Sequence, residues 1–334
     1  MKGIINALDN NASVRDEKQQ NPFWILVRKE VAGHIRSWRF IILLVLVVLT
    51  FWGATAVAMN NIKDTVAKVK DLETLFLYLK LLTTTEGTLP PFHVFLNFLG
   101  PLLGISLGFD AINSEQQNGT LTRIMAQPIY RDNLLLSKFV SSLLLVGTLL
   151  LALSLLMVGG GMLLTGVMIE VEELIRILCF MLLCTVYVGF WLGLSILLSI
   201  VFKQASTSAL TAIGIWLFFT VFYQIVVNMV VTMLTSGSGE LTQMQVMHLN
   251  EIILNILRLA PSQLYADATT TLLMPSVRSL GPVTMEQMAG AIPSPLSIRD
   301  SLLIVWPQLT GLIAATLLCF AFSYYLFMRR EIRT

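Results

Sequence analysis

Charge is what this sequence has least of. Only 13% of its 334 residues are Asp, Glu, Lys or Arg, while 55% are apolar and the mean hydropathy is +0.76. A soluble domain carries about 25% charged residues to cover its surface. A soluble globular chain is therefore excluded, and the composition reads as a polytopic membrane protein. The formal net charge is +2, and no Lys/Arg cluster is interleaved with aromatics, so nothing points to nucleic acid as a partner.

Other absences narrow the function. The three cysteines, Cys179, Cys184 and Cys319, lie in apolar runs without a CxxC or metal-ligand spacing. Hydrolase signatures such as HExxH and GxSxG are missing. No lysine follows a glycine, so there is no Walker A loop, and the chain lacks the usual means of binding and splitting ATP. We expect no catalytic, cofactor-binding or metal site in this chain. Its apolar runs are almost free of ionisable residues, which argues against a proton-coupled carrier. No internal repeat marks a secondary transporter. The polar first 22 residues do not form a secretory signal, so the first apolar run should stay as an anchor.

What the chain does have is apolar length. Six runs match the roughly 20 residues that cross a bilayer: about 40–59, 92–112, 134–166, 175–202, 209–234 and 301–328. Most of the 22 basic residues fall on the segments that are cytoplasmic if both termini are, notably Arg28, Lys29, Arg36 and Arg39 before the first span and Arg329, Arg330 and Arg333 after the last. The expected layout is a cytoplasmic N-terminus over 1–39, a six-helix membrane domain over 40–328 and a short cytoplasmic tail over 329–334. Within the domain lie an inner loop at 110–133 and outer loops at 60–91 and 235–300.

Four segments do not span. Residues 23–38 mix apolar and basic side chains with Trp24 and Trp38 near the ends, as in an interfacial helix; His34 reads as a solvated or interfacial histidine. Residues 62–82 have an amphipathic helical period, for a helix lying on the membrane or on a partner. Residues 203–208 make a tight turn. The proline-broken stretch 235–300 holds a helical pattern at 244–260, in which Arg258 and His248 read as solvated. Gly159–Gly161 reads as a place of close packing or bending, and Pro101 with Gly104 as a bend in the second span. Asn97, Tyr223, Gln224 and Asn228 are uncharged polar residues inside spans. Gln224 and Asn228 are one turn apart, fit either for hydrogen bonds between helices or for lining a cavity.

The inner loop is the informative stretch. Asn118-Gly119 makes a tight turn, Thr120 can cap a short helix, Leu121, Ile124 and Met125 form one apolar face, and Pro128 stops the helix. A helix this short is marginal alone. It needs a surface to pack on, and a soluble partner is the economical source.

The pattern Glu115-x-x-x-Gly119-Thr120-Leu121, followed by Gln127-Pro128-Ile129-Tyr130-Arg131 and Lys138, resembles ABC-2 type permeases, the membrane halves of ATP-binding-cassette exporters, and among them the NosY-like group. "RKEVAGHIRSWRF" before the first span and "LFMRREI" at the end support the likeness over nearly the whole chain; the two long outer loops depart from it. The resemblance implies an all-α, ABCG-like exporter fold with an N-terminal interfacial helix and helical outer loops, a re-entrant or helical segment falling at about 241–275. It implies that Gly119–Gln127 is a coupling helix seated on a separate ATPase that holds the ATP and magnesium, with Glu115, Gly119, Thr120, Leu121, Arg123, Ile124, Pro128 and Arg131 as coupling residues. It further implies contact between the interfacial helix and that ATPase, a second permease subunit, and a substrate path along spans two and five, at Asn97, Pro101, Tyr223, Gln224 and Asn228. Expected surroundings are lipid and the plasma membrane of a bacterium or archaeon, and the outer loops leave room for an accessory protein outside. The alternative is a membrane-anchored interaction or signalling protein that transports nothing itself.

Overall fold

The computed structural model describes residues 22–66, 76–85, 89–126, 130–235, 252–275 and 296–329. Among them there are helices and no strand. Six helices have the length and apolarity to cross a membrane: Trp38–Asn60, Phe92–Gln117, Arg131–Thr165, Val171–Val201, Ala205–Met233 and Ile298–Arg329. These are spans one to six, and each overlaps an expected run. We call the end where span one starts and span six finishes the basal end, and the other the distal end. Span three, with 35 residues, is about 52 Å long at 1.5 Å per residue and outruns a hydrocarbon core of about 30 Å.

Spans two and four form the buried centre. In span four 67% of the apolar window is buried, against 17% in spans five and six, which therefore offer most of their surface to lipid or to another chain. The central contact follows from small residues one turn apart. A Cβ at Gly104 would lie 2.6 Å from the Val188 carbonyl oxygen, and one at Gly108 would lie 2.9 Å from that of Leu192. Glycine thus lets the two backbones meet, as small-xxx-small pairs do in membranes, and Ser195 Oγ donates to Ile105 O at 3.1 Å beside them. The expected role of Gly104 as a bend gives way to this role in packing.

Pro101 sits inside span two and brings no N–H for the carbonyl of Asn97 one turn back. The Tyr187 hydroxyl of span four supplies the missing donor, lying 3.1 Å from both Asn97 O and Asn97 Oδ1. The proline is tolerated because its neighbour fills the gap it leaves.

The distal end is folded more tightly than the sequence indicates. Span one's helix runs on to Val66, and 67–75 lie outside the described residues. The rest of the expected amphipathic helix, Leu77–Thr83, has no free face: Leu77, Tyr78, Leu79, Leu81 and Leu82 are all buried. It is wedged against span three, where a Cβ at Gly161 would stand 2.6 Å from the Tyr78 ring. The Glu173 carboxylate of span four accepts from Tyr78 N at 2.9 Å, at the start of this helix. Of the 235–300 stretch, the described residues include a helical turn at 252–257 and the helix Pro261–Leu273, with proline in its first turn. That helix is buried against the distal ends of spans two, four and six and acts as a lid. The positions of 241–251 and His248 lie outside the described residues.

Two buried charges hold the lid. Arg176, 1% exposed, reaches Glu172 at 2.9 Å, Leu272 O at 3.2 Å, Leu296 O at 2.6 Å and Ser301 Oγ at 3.0 Å. It joins span four, the lid and span six. Asp267 is fully buried and accepts from Arg258 at 3.2 Å and Gln263 at 2.6 Å. Arg258 is therefore paired rather than merely solvated, because the lid brings a carboxylate to it. Burial pushes the Asp267 carboxyl above its usual value, with Gln263 and Arg258 opposing.

Candidate functional site

The inner loop joins spans two and three at the basal end. After Gly108 the chain makes the short helix Asn113–Gln117, turns at Asn118 and Gly119, and forms Thr120–Met125. Gly119 has φ +67° with nothing within 4 Å of a Cβ, so conformation and not space requires glycine there. It is also the residue that precedes the helix. Thr120 is the first helical residue and makes no cap; its hydroxyl donates back to Glu115 O at 3.1 Å, because the turn has carried it past the capping position.

The apolar face of this helix points into the chain. Leu121 is 3% exposed, and Ile124 and Met125 are half-buried against the core cluster. The expectation that a partner must cover that face is corrected: the loop folds back under the bundle, and the chain covers it itself. What faces outward is polar and small, including Gln116, Gln117, Asn118, Gly119, Thr122 and Arg123. Arg131 is half-buried at the first turn of span three, and Gln127 and Pro128 lie outside the described residues.

Four sets of contacts fasten the loop to different elements. Ser199 Oγ at the end of span four accepts from Ile112 N at 2.9 Å and Asn113 N at 3.2 Å. Gln117 donates to Lys203 O at 2.8 Å, in the turn between spans four and five. Asp110 pairs with Arg39 of span one at 2.6 Å, and the Arg39 guanidinium lies 4.9 Å from the centre of the Phe109 ring. Glu115 pairs with Lys138 of span three at 2.8 Å.

Lys138 is the hub. It lies two turns inside span three, is 5% exposed, and also reaches Glu30 of the interfacial helix Pro22–Ile35 at 3.1 Å. Lys29 stands 3.4 Å from Glu30 and 3.8 Å from Glu115, so two cations face two carboxylates. A buried charge persists only when paired in this way. Burial pushes the Glu30 carboxyl up, but Lys138 and Lys29 together outweigh it and hold the group below its ordinary value. His34, one turn on, lies with Nε2 3.2 Å from Ser142 Oγ of span three, and burial lowers its pKa. The interfacial helix is thus docked on span three through His34 and Glu30, and of the two expected settings for His34, solvated or interfacial, the structure shows the interfacial one.

A second feature lies at the distal end. Span five is broken at Phe218–Phe222 by a π-helical turn, a departure common at functional positions. The turn faces the lid, where Ser262 Oγ comes within 3.5 Å of Phe219 O. Between them is a cavity of about 200 Å³ lined by Asn97, Thr220, Tyr223, Gln224, Ser262 and Gln263 with a few apolar neighbours. An apolar groove of about 240 Å³ shares Tyr223 with it and runs along the exposed side chains of Val226, Val230, Ile252 and Ile256. The Tyr223 hydroxyl donates to Ile256 O at 2.6 Å.

The structure brings three of the expected path residues, Asn97, Tyr223 and Gln224, to one cavity. Pro101 is buried, and Asn228 is exposed on span five outside the lining of both cavities. Sequence reasoning missed Glu30, Ser199 and the pairing role of Lys138, as well as Thr220, Ser262 and Gln263. A lysine one turn into an apolar run was the one direct signal; the others depend on helix contacts that have no local pattern.

Comparison with known proteins agrees with this architecture. Residues 24–332 match the model of the ABC-2 family transporter protein. The chain is 29% identical over 223 residues to the probable ABC transporter permease protein NosY of Pseudomonas aeruginosa, covering 60% of this chain and 68% of that one. It is 25% identical over 307 residues to the protein of that name from Stutzerimonas stutzeri, covering 88% of this chain and 96% of that one. A family match over nearly the whole length, on a six-span helical bundle, is sufficient: the chain belongs to the ABC-2 transporter family, as a multi-pass permease subunit of the kind that works with an ABC ATPase.

Proposed function

We propose that this permease subunit forms the substrate pathway of an exporter as one of a pair, and that a separate ATPase drives it through the inner loop. The basal end faces the cytoplasm of a bacterium or archaeon, as the placement of Lys and Arg favours. ATP and magnesium belong to the ATPase. That subunit grips the expected coupling segment, Gly119–Gln127, on the polar outer side that Gly119, Thr122 and Arg123 present, and touches the interfacial helix. The observation that carries the reading is Lys138, which ties Glu115 of the loop and Glu30 of the interfacial helix to one span. A push on either element reaches the bundle through it. Asp110 and Ser199 extend the hold to spans one and four. The apolar face of the loop packs inward, so the loop moves with the bundle instead of sliding beneath it. ATP then biases the bundle by binding one of its states better than the other.

The test is co-purification in mild detergent with an assay of vanadate-sensitive ATP hydrolysis. The account expects a stoichiometric ATPase whose activity is silenced by Arg123→Glu while the permease stays inserted. A chain that purifies without an ATPase, or a hydrolysis rate indifferent to Arg123→Glu, contradicts it.

A further inference from the structure

The chemistry of the distal cavities limits what can enter them. Among the described residues, no Asp, Glu, Lys, Arg or His lines either one. The carboxylate of Asp267, one turn beyond Gln263, is fully buried and already engaged by Arg258 and Gln263. An ion entering here would lose water and meet no counter-charge. Nor does any group of three His, Cys, Asp or Glu among the described residues offer a metal site.

The polar cavity is nevertheless built for hydrogen bonds. Among the described residues the buried Thr220 hydroxyl has no hydrogen-bond partner, and a ligand or water group can satisfy it. The π-helical turn sets Thr220 on the cavity wall. Gln224 and Asn97 add an amide each, so donors and acceptors are both present without net charge. Among the described residues the groove beside it is lined by valine and isoleucine apart from Tyr223. Together the two spaces fall in the size class of small-molecule sites, about 300–1,000 Å³.

We propose that the polar cavity and the apolar groove beside Tyr223 together take an uncharged amphiphile, with its hydrogen-bonding head among Asn97, Thr220, Gln224 and Ser262 and its apolar part along Val226, Val230, Ile252 and Ile256. The inference rests on the reading of spans two and five as the substrate path and names the class of substrate that path accepts. Tyr223 lines both spaces, with its hydroxyl already held by Ile256 O.

The experiment uses the permease–ATPase complex in phosphatidylcholine nanodiscs and a monoolein analogue with a diazirine in its acyl chain. After photolysis, labelled peptides are mapped, with unlabelled monoolein, oleate and oleylamine as competitors. The proposal expects label within 223–231 or 252–257. It expects monoolein to compete at least about tenfold better than either ionic analogue. Thr220→Val with Gln224→Leu should weaken labelling by about tenfold, the loss of two ordinary hydrogen bonds. Gln224→Glu should shift the preference toward oleylamine, a gain that misfolding cannot imitate. Equal competition by the ionic analogues, label elsewhere in the chain, or a cysteine at 224 that cross-links to a second copy and shuts the probe out would overturn it. Repeating the labelling with ATP and vanadate separates the two readings. Charge-selective labelling that ignores nucleotide upholds the ligand class and sinks the transport path. Nucleotide-sensitive labelling without charge selectivity does the reverse.

Discussion

Lys138 donates to Glu115 across 2.8 Å, and that contact fixes the inner loop to a helix that runs the full depth of the bundle. The same ammonium holds Glu30, so losing it leaves two carboxylates facing each other with only the more exposed Lys29 between them. Lys138→Met should therefore destabilise the protein by about 3–5 kcal/mol, the cost of breaking a buried pair by removing one side. Glu115→Gln in that background should recover part of the loss. Thermal unfolding followed by tryptophan fluorescence in detergent checks both. A Lys138→Met protein as stable as the parent would show that the hub carries no strain.

The docking of the interfacial helix should weaken in acid. Both His34 and Glu30 have pKa values below their ordinary ones in the folded protein. The undocked state then binds more protons, and stability rises with pH. The His34 contribution is fully present above the usual histidine value of 6.5 and is lost as pH falls through its lowered folded value. The Glu30 contribution follows the same course below 4.5. Hydrogen-exchange protection over 22–35, corrected for the intrinsic pH dependence of amide exchange, should fall first in the upper window, and His34→Asn should remove that step while leaving the lower one. Protection that is flat from pH 8 to pH 4 would refute the arrangement.

Gly104 and Gly53 make a matched pair for the packing of spans two and four. A Cβ at Gly104 meets a backbone oxygen at 2.6 Å, whereas at Gly53 it meets nothing within 4 Å. Gly104→Ala should cost about 1–3 kcal/mol, the range of overpacked cores. Gly53→Ala should be neutral or slightly stabilising, because alanine is the better helix former. Equal melting temperatures for the two variants would mean that the spans separate freely.

Tyr187 and Pro101 should be thermodynamically coupled through the Asn97 carbonyl. Tyr187→Phe removes the donor shared by two acceptors and should cost about 1–3 kcal/mol. In a Pro101→Ala background the helix can supply an N–H to Asn97 O, so the same change should cost less. A double-mutant cycle with no interaction energy would contradict the pairing.

The six spans are legible in the sequence because length and apolarity alone define a crossing, and the turn at Asn118-Gly119 is legible because positive φ selects glycine. Where the apolar face of Leu121 goes is not legible: helical period shows that a face exists but not what covers it. The same limit hides the charges. Glu30 and Lys138 are 108 residues apart and Arg39 and Asp110 are 71 apart, so only the packed bundle reveals them as partners. Leu77–Thr83 misleads for a related reason, since its helical period does not tell a face laid on the membrane or a partner from one that the chain itself encloses. At the cavity the sequence displays Asn97 and Gln224 as polar residues in apolar runs. Ser262 and Gln263 look like ordinary loop residues until the lid is in place.

The central claim is that the inner loop transmits nucleotide binding to the distal cavity. The most direct measurement is the rate at which a maleimide labels Gln224→Cys in a chain whose three native cysteines are replaced, within the reconstituted ATPase complex, with and without ATP and vanadate. The account predicts that nucleotide changes the labelling rate and that Gly119→Pro abolishes the change, because proline cannot adopt the positive φ of that turn. A nucleotide effect that persists unchanged in Gly119→Pro, or no effect in the parent complex, would contradict it.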